Sequence, residues 1–225
     1  EEIFEEELEP EEDIIEEDLI YVGLVGMIDP VRDEVKGAVN RCKDAGIKVV
    51  MITGDHIDTA VAIGLELGII SSREQALTGS DIDKLSDEEF DKVIERVFVY
   101  ARVQPEHKTR IVKTWQKKHK IVAMTGDGVN DAPSIKSADI GIGMGITGTE
   151  VTKNVADMVL ADDNFNTITV AVEEGRKIYD NIRKSIQFLL SSNLAEVLAI
   201  FIATLCGFTL LEPTHLLWIN LITDS

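Results

Sequence analysis

Residues 188–211 read FLLSSNLAEVLAIFIATLCGFTLL, 24 residues with a single charge, Glu196. No other stretch limits the fold so strongly. As a helix it is long enough for the roughly 30 Å hydrocarbon core of a bilayer, which takes about 20 apolar residues. In a soluble domain the same helix would have to be buried on every side. Arg176, Lys177, Arg183 and Lys184 flank its N-terminal end and assign that end to the cytoplasm. The expectation is an integral membrane chain, with a transmembrane helix over 188–209 and an outer loop over 210–215 around Glu212-Pro213. A second span starts at 216 and reaches 225. The helical pattern continues backwards through 173–187, so 166–187 reads as a stalk between the bilayer and the domain before it. With no initial Met and an end inside an apolar run, the chain reads as a piece of a longer one.

Between residues 19 and 165 the pattern changes. Short apolar runs, at 19–28, 48–52, 97–101, 121–124, 140–142 and 158–160, alternate with amphipathic stretches at 31–45, 59–67, 87–96, 105–118 and 132–137. Strand–helix alternation with short links predicts an α/β domain built on a parallel sheet covered on both faces. Residues 1–18 stand apart, with twelve acidic groups and no basic one, and read as a solvated linker or the end of a preceding domain. The formal charge of -19 excludes a nucleic-acid partner, which would call for a basic face. Cys42 and Cys206 have neither metal spacing nor a disulfide framework.

Two of the apolar runs end in the same tripeptide, Thr53-Gly54-Asp55 and Thr125-Gly126-Asp127. Ligands of parallel sheets gather at the carboxyl ends of the strands, so both tripeptides point to one pocket. Asp127 and Asp131, four positions apart across Gly128-Val129-Asn130, supply oxygen ligands of the kind that hold Mg²⁺ together with phosphate oxygens. Thr53 and Gly54, where a strand opens into a helix, suit an anion. Lys108, at the start of an amphipathic helix, places a fixed positive charge for a phosphoryl group. In the apolar segments Asn193 and Glu196 share a helical face, as do Asn220, Thr223 and Asp224. Counted from the outer turn, Glu196 and Asp224 fall at about the same depth. Five oxygen-bearing side chains at that depth suit a hard cation.

These residues resemble a known family. MTGDGVNDAP at 124–133, TGD at 53–55, DPVR at 29–32 and QPEHK at 104–108 are similar to the phosphorylation domain of P-type cation-transporting ATPases. The likeness runs on through MVLADDNFNTI (158–168), EEGRKIYDNIRK (173–184), SSNLAE (191–196) and LLWINLITD (216–224). It implies a haloacid-dehalogenase-like Rossmann sheet and use of ATP and Mg²⁺. Asp127 would hold the metal, with Asn130 and Asp131 supporting the phosphate site. Thr53, Gly54, Asp55, Lys108 and Arg32 would contact the phosphoryl group or nucleotide. Asn-x-x-Glu followed by Asn-x-x-Thr-Asp resembles the calcium pumps of sarcoplasmic-reticulum type, which implies Ca²⁺ as the transported ion.

One departure matters. The family's nucleophile belongs to an Asp-Lys-Thr-Gly-Thr motif, and no such motif occurs in this chain. By the resemblance it lies on the central strand, N-terminal to the nucleotide-binding domain, whose end would then be residues 1–18. The expected partners are therefore the bilayer and the rest of a pump chain: actuator and nucleotide-binding domains and further transmembrane helices. This piece alone is expected to be inactive. Its sheet should show a gap beside the 121–124 strand, with apolar side chains exposed along it. The alternatives are a pump for Mg²⁺, Na⁺ or K⁺, or a soluble haloacid-dehalogenase-like phosphatase.

Overall fold

The computed structural model of the chain describes residues 20–23, 25 and 31–223. Residues 1–31 form one unit and Arg32–Ser225 a second. The described residues of the first lie in neither helix nor strand, and the remainder of the strand expected at 19–28 falls outside the described residues. So do Asp29 and Pro30.

The second unit begins with α1 (Asp33–Asp44), β1 (Met51–Ile52) and α2 (Ile57–Glu66), followed by β2 (Ala76–Thr78), α3 (Gly79–Lys84), α4 (Asp87–Val93) and β3 (Val99–Ala101). Next come α5 (Pro105–Lys117), β4 (Ala123–Gly126), α6 (Ala132–Ser137), β5 (Ile140–Met144), α7 (Glu150–Val155) and β6 (Met158–Leu160). Two helices close the chain, α8 (Phe165–Leu205) and α9 (Pro213–Thr223). Local chemistry sets many of these boundaries. Thr78 with Asp81 and Ser86 with Glu89 make reciprocal capping boxes at the starts of α3 and α4. Pro105 takes the first position of α5, where its missing N–H costs nothing. β2, α3 and α7 are too short for any periodicity to announce them, and the sequence reading had no place for them.

All strand pairs are parallel, but they make two sheets rather than one continuous sheet. The orders are β1-β3-β2 and β4-β5-β6. The break falls at the expected place. β1 and β4 are both edge strands, while Ile52 at the end of β1 and Val122 just before β4 pack against the same two apolar clusters. Ile121, beside the open edge of β4, is 78% exposed. Among the described residues β1 and β4 each pair on one side only.

The core of the first sheet is Ile82, Phe90, Ile94, Val97, Tyr100, Ile111 and Trp115. Phe90 meets Tyr100 edge-on, with ring centroids 6.3 Å apart, and the Arg110 guanidinium lies over the Phe90 ring, 5.1 Å from its centroid. The second sheet is closed by Met124, Ile135, Ile142, Leu160 and Ile168.

α8 runs unbroken for 41 residues, about 60 Å at the rise of an α-helix. It begins against the second sheet through Ile168, packs on α1, and is long and apolar enough to cross a membrane. Phe188, Leu194, Val197, Phe201 and Leu205 stand exposed on it. Gly207, at φ +81, makes the turn that follows.

Truncating Phe90 to Ala leaves a cavity at a fully buried site and is expected to cost about 3–5 kcal/mol. The same truncation at exposed Ile121 is expected to stay within about 0.5 kcal/mol. Denaturant titration of the two variants measures both.

Candidate functional site

The first Thr-Gly-Asp is tied to the carboxyl end of β3. Thr53 N–H donates to the Tyr100 carbonyl (2.9 Å), Val103 N–H to the Thr53 carbonyl (3.3 Å) and Arg102 N–H to the Asp55 carbonyl (3.1 Å). Within the turn, the Thr53 hydroxyl donates to Asp55 Oδ2 (2.9 Å) and accepts from Asp55 N–H (3.1 Å). Gly54 faces open space, since a Cβ built on it would meet nothing within 4 Å. A glycine with room around it is how a backbone receives a ligand at close range.

The second tripeptide is organised around Asp131, which is 7% exposed. Its Oδ2 accepts from the N–H groups of Asp127 and Gly128, both at 3.3 Å. Its Oδ1 accepts from Lys108 Nζ at 2.5 Å, a largely buried ion pair. Here the glycine is demanded by packing: a Cβ at Gly126 would lie 2.5 Å from Asp131 Cβ and 2.7 Å from Oδ2. So the two Thr-Gly-Asp motifs use their glycines differently, one for an open approach and the other for a buried carboxylate.

Lys108 is aimed by its neighbour. His107 is 8% exposed; its Nδ1 accepts from Gln104 N–H (2.9 Å), so Nε2 carries the proton and donates to Asp83 Oδ1 (2.8 Å). That histidine locks the first turn of α5 against α3, and Lys108 projects from the same turn. Behind the second tripeptide, Thr149 N–H donates to the Asp127 carbonyl (2.9 Å), and the buried Thr152 hydroxyl reaches the Asp127 and Gly128 carbonyls (3.2 and 3.3 Å). The roles of His107, Asp83, Thr149 and Thr152 went unread in the sequence. Only the spacing Thr149-x-x-Thr152, a helix-start pattern, hinted at one of them.

With its carboxylate fully engaged, Asp131 works as the organiser. Asp127 and Asn130 are exposed, and among the described residues no hydrogen bond or ion pair engages the Asp127 carboxylate. The arrangement offers one free carboxylate, an open glycine cradle and a held ammonium group at the ends of β1 and β4. That donor set suits a phosphoryl group with a hard divalent cation.

A family profile described as haloacid dehalogenase-like hydrolase matches residues 1–139. The chain belongs to that family. It is 58% identical over 214 residues to calcium-transporting ATPase 1 of Bacillus cereus, covering 95% of this chain and 24% of that protein. It is 54% identical over 211 residues to a calcium-transporting ATPase of Bacillus subtilis, covering 93% of this chain and 24% of the relative. The chain thus spans about a quarter of the length of these relatives. Among solved structures, a zinc-transporting PIB-type ATPase in the E2.Pi state superposes with a TM-score of 0.60 at 29% identity, covering 87% of this chain and 26% of that one.

Of the other expected site residues, Arg32 is exposed at the N-cap of α1, with no capping bond and no contact to the groups above. In the apolar helices, Glu196 on α8 and Asn220 on α9 each keep a buried side-chain oxygen, Oε1 and Oδ1, without a hydrogen-bond partner. Asn193 is exposed on α8, Thr223 is the last residue of α9, and Asp224 lies outside the described residues.

Replacing Asp131 by Ala strands the Lys108 ammonium and two backbone N–H groups, and is expected to destabilise the domain by about 3–5 kcal/mol. Asp127→Ala removes an exposed, unpaired carboxylate and should shift stability by no more than about 0.5 kcal/mol. Thermal denaturation of the two variants side by side checks the division between organiser and ligand.

Proposed function

We propose that the chain is the larger part of the phosphorylation domain (19–165), the stalk (166–187), one transmembrane helix (expected over 188–209, its helix ending at Leu205) and the start of the next (expected from 216, its helix beginning at Pro213) of an ATP-driven Ca²⁺ pump. The observation that carries this reading is the continuity of α8. It leaves the sheet that bears the phosphate-site loops and runs without a break into the apolar segment that holds Glu196. High identity to calcium-transporting ATPases supports Ca²⁺ as the ion.

The gap between β1 and β4 takes the strand that carries the phosphorylated Asp, supplied by another part of the pump chain. Its side chain then lies between Thr53 and Asp127. Thr53 and Gly54 receive the phosphoryl oxygens, while Lys108 balances their charge and holds the Asp131 side chain in place. Asp127, held by Asp131 and Thr149, is the ligand for Mg²⁺. When bound, Mg²⁺ neutralises charge on the phosphoryl oxygens. Asp131, placed beside it as a second ligand in the sequence reading, acts through its grip on the Asp127 and Gly128 N–H groups. Asn130, exposed beside Asp127, supports the phosphate site, and Asp55 at the Thr53 turn contacts the phosphoryl group or nucleotide.

At bilayer depth an unpartnered carboxylate is expensive and marks an ion path. Glu196 and Asn220 leave one oxygen each for the cation, joined by Asn193, Thr223, Asp224 and ligands from the remaining transmembrane helices. The pump is an integral membrane protein with this domain in the cytoplasm.

The decisive experiment is ATP-dependent uptake of radiolabelled Ca²⁺ by the full-length protein in sealed lipid vesicles, with Asp127→Asn and Glu196→Gln beside the wild type. Uptake should vanish in both variants. Phosphoenzyme formation from ATP should require Ca²⁺ in the wild type and fail in Glu196→Gln. ATPase activity indifferent to Ca²⁺ would transfer the site to another cation, and absence of any phosphoenzyme would sink the pump reading.

A further inference from the structure

Asp163 lies immediately before Asn164, the N-cap of α8, in the left-handed region at φ +48, where a non-glycine residue is uncommon. Its carboxylate collects four hydrogen bonds from one short segment. Gly145 N–H (2.6 Å) and Ile146 N–H (3.0 Å) donate to Oδ1; Thr147 N–H (2.7 Å) and the Thr147 hydroxyl (2.8 Å) donate to Oδ2. Residues 145–149 therefore form a strap fastened at one end to the root of the long helix. Its other end is fastened to the metal-site loop, through Thr149 N–H on the Asp127 carbonyl and the Thr152 hydroxyl on the Asp127 and Gly128 carbonyls.

The strap is tight as well as short. A Cβ at Gly148 would lie 1.9 Å from the Met144 carbonyl oxygen, and one at Gly145 would lie 2.5 Å from that of Leu160. Both obstacles are backbone, so neither can move aside cheaply. α8 is itself fastened at its root by Asn164, which accepts from Asn166 N–H, and by Asp162, which accepts from Asn164 N–H and the Thr167 hydroxyl.

We propose that Asp163 is a positioning residue that couples the Asp127 loop to the stalk helix through the 145–149 strap. A displacement of the Asp127 carbonyl pulls on Thr149 and Thr152, and the strap passes it to Asp163 and the first turn of α8. Partial desolvation works against ionisation of Asp163, but the hydrogen bonds from Ile146, Thr147 and Gly145 outweigh it and hold its carboxyl at about 2. A depressed carboxylate stabilises the fold above its unfolded value and loses that contribution as pH falls through its folded value. The fastening is thus complete at neutral pH and is lost only as pH falls below about 4 towards 2. The consequence for transport rests on the pump reading above; the mechanical link does not.

Two measurements on the full-length protein separate these. In hydrogen exchange, Asp163→Ala should speed exchange of the 145–147 amides and also of Asp127 and Gly128 by about ten-fold or more. Thr152→Val, which removes the hydroxyl's bonds to the Asp127 and Gly128 carbonyls with little change of shape and leaves the one from Thr149 N–H, weakens the other end and should speed exchange at 145–147 as well as at 127–128. Faster exchange confined to the cut end in both variants would overturn the link. In vesicles, the initial Ca²⁺ uptake rate per phosphoenzyme should fall about ten-fold in Asp163→Ala. Asp163→Asn, which retains one acceptor oxygen, should fall between it and the wild type. A misfolded fraction lowers uptake and phosphoenzyme together and leaves their ratio alone, so an unchanged ratio in Asp163→Ala would refute the coupling. A wild type without Ca²⁺-dependent phosphoenzyme would refute the pump reading instead, and the exchange experiment would still decide the strap.

Discussion

The architecture of the catalytic end hangs on one buried carboxylate. Asp131 is nearly inaccessible, and a charge in that position is tolerated only with partners on every side. It finds them in two places: the backbone of its own loop and the ammonium of Lys108 on α5. Because α5 covers the first sheet while Asp131 follows a strand of the second, this one group bridges two sheets that share no strand pairing. The rest of the bridge is apolar contact around Ile52, Val112 and Val122, with Gln116 Nε2 donating to the Ser137 carbonyl (2.9 Å). Gly126 is the local concession that lets the carboxylate sit so close to its own strand.

The space left between β1 and β4 gives the site its direction. Unpaired strand edges invite another strand, and both edges here end in a Thr-Gly-Asp turn. A strand inserted between them would deliver its own carboxyl-terminal side chain into the cradle formed by Gly54, Lys108 and Asp127. The haloacid dehalogenase-like family assignment and the likeness to calcium-transporting ATPases are both consistent with such a completion. In the proposed pump the chemistry is distributed accordingly: this chain would supply the electrostatic frame, and the inserted strand the nucleophile.

Distance is the remaining problem for such a machine, and α8 addresses it. A helix is stiff along its axis, so in the proposed pump 41 uninterrupted residues would carry motion from the sheet to Glu196 with little loss. Stiffness is useful only if the near end is held. The strap from Thr149 to Asp163 and the caps at Asp162 and Asn164 hold it at the same loop that carries Asp127. At the far end the unpartnered oxygens of Glu196 and Asn220 stay available to a cation, because no protein donor in the described residues takes them.

Sequence and tertiary structure divided the information along physical lines. Apolar run length and the position of basic residues follow directly from residue chemistry, so the long helix, its orientation and the strand–helix alternation were legible without coordinates. The Thr-Gly-Asp ends were legible too, since the chain must turn where a strand stops and glycine marks the turn. The gap at β4 followed from a motif that the chain does not contain. What no local pattern could announce was which carboxylate would be buried. Asp127 and Asp131 are the same residue type four positions apart, and only the arrival of Lys108 from another element makes one an organiser and leaves the other free. The same holds for His107 meeting Asp83, and for Asp163 gathering the amides of a segment sixteen to eighteen positions upstream. Such contacts join residues distant in the chain, and their partners are chosen by the packing of sheets and helices rather than by anything written near them in the sequence.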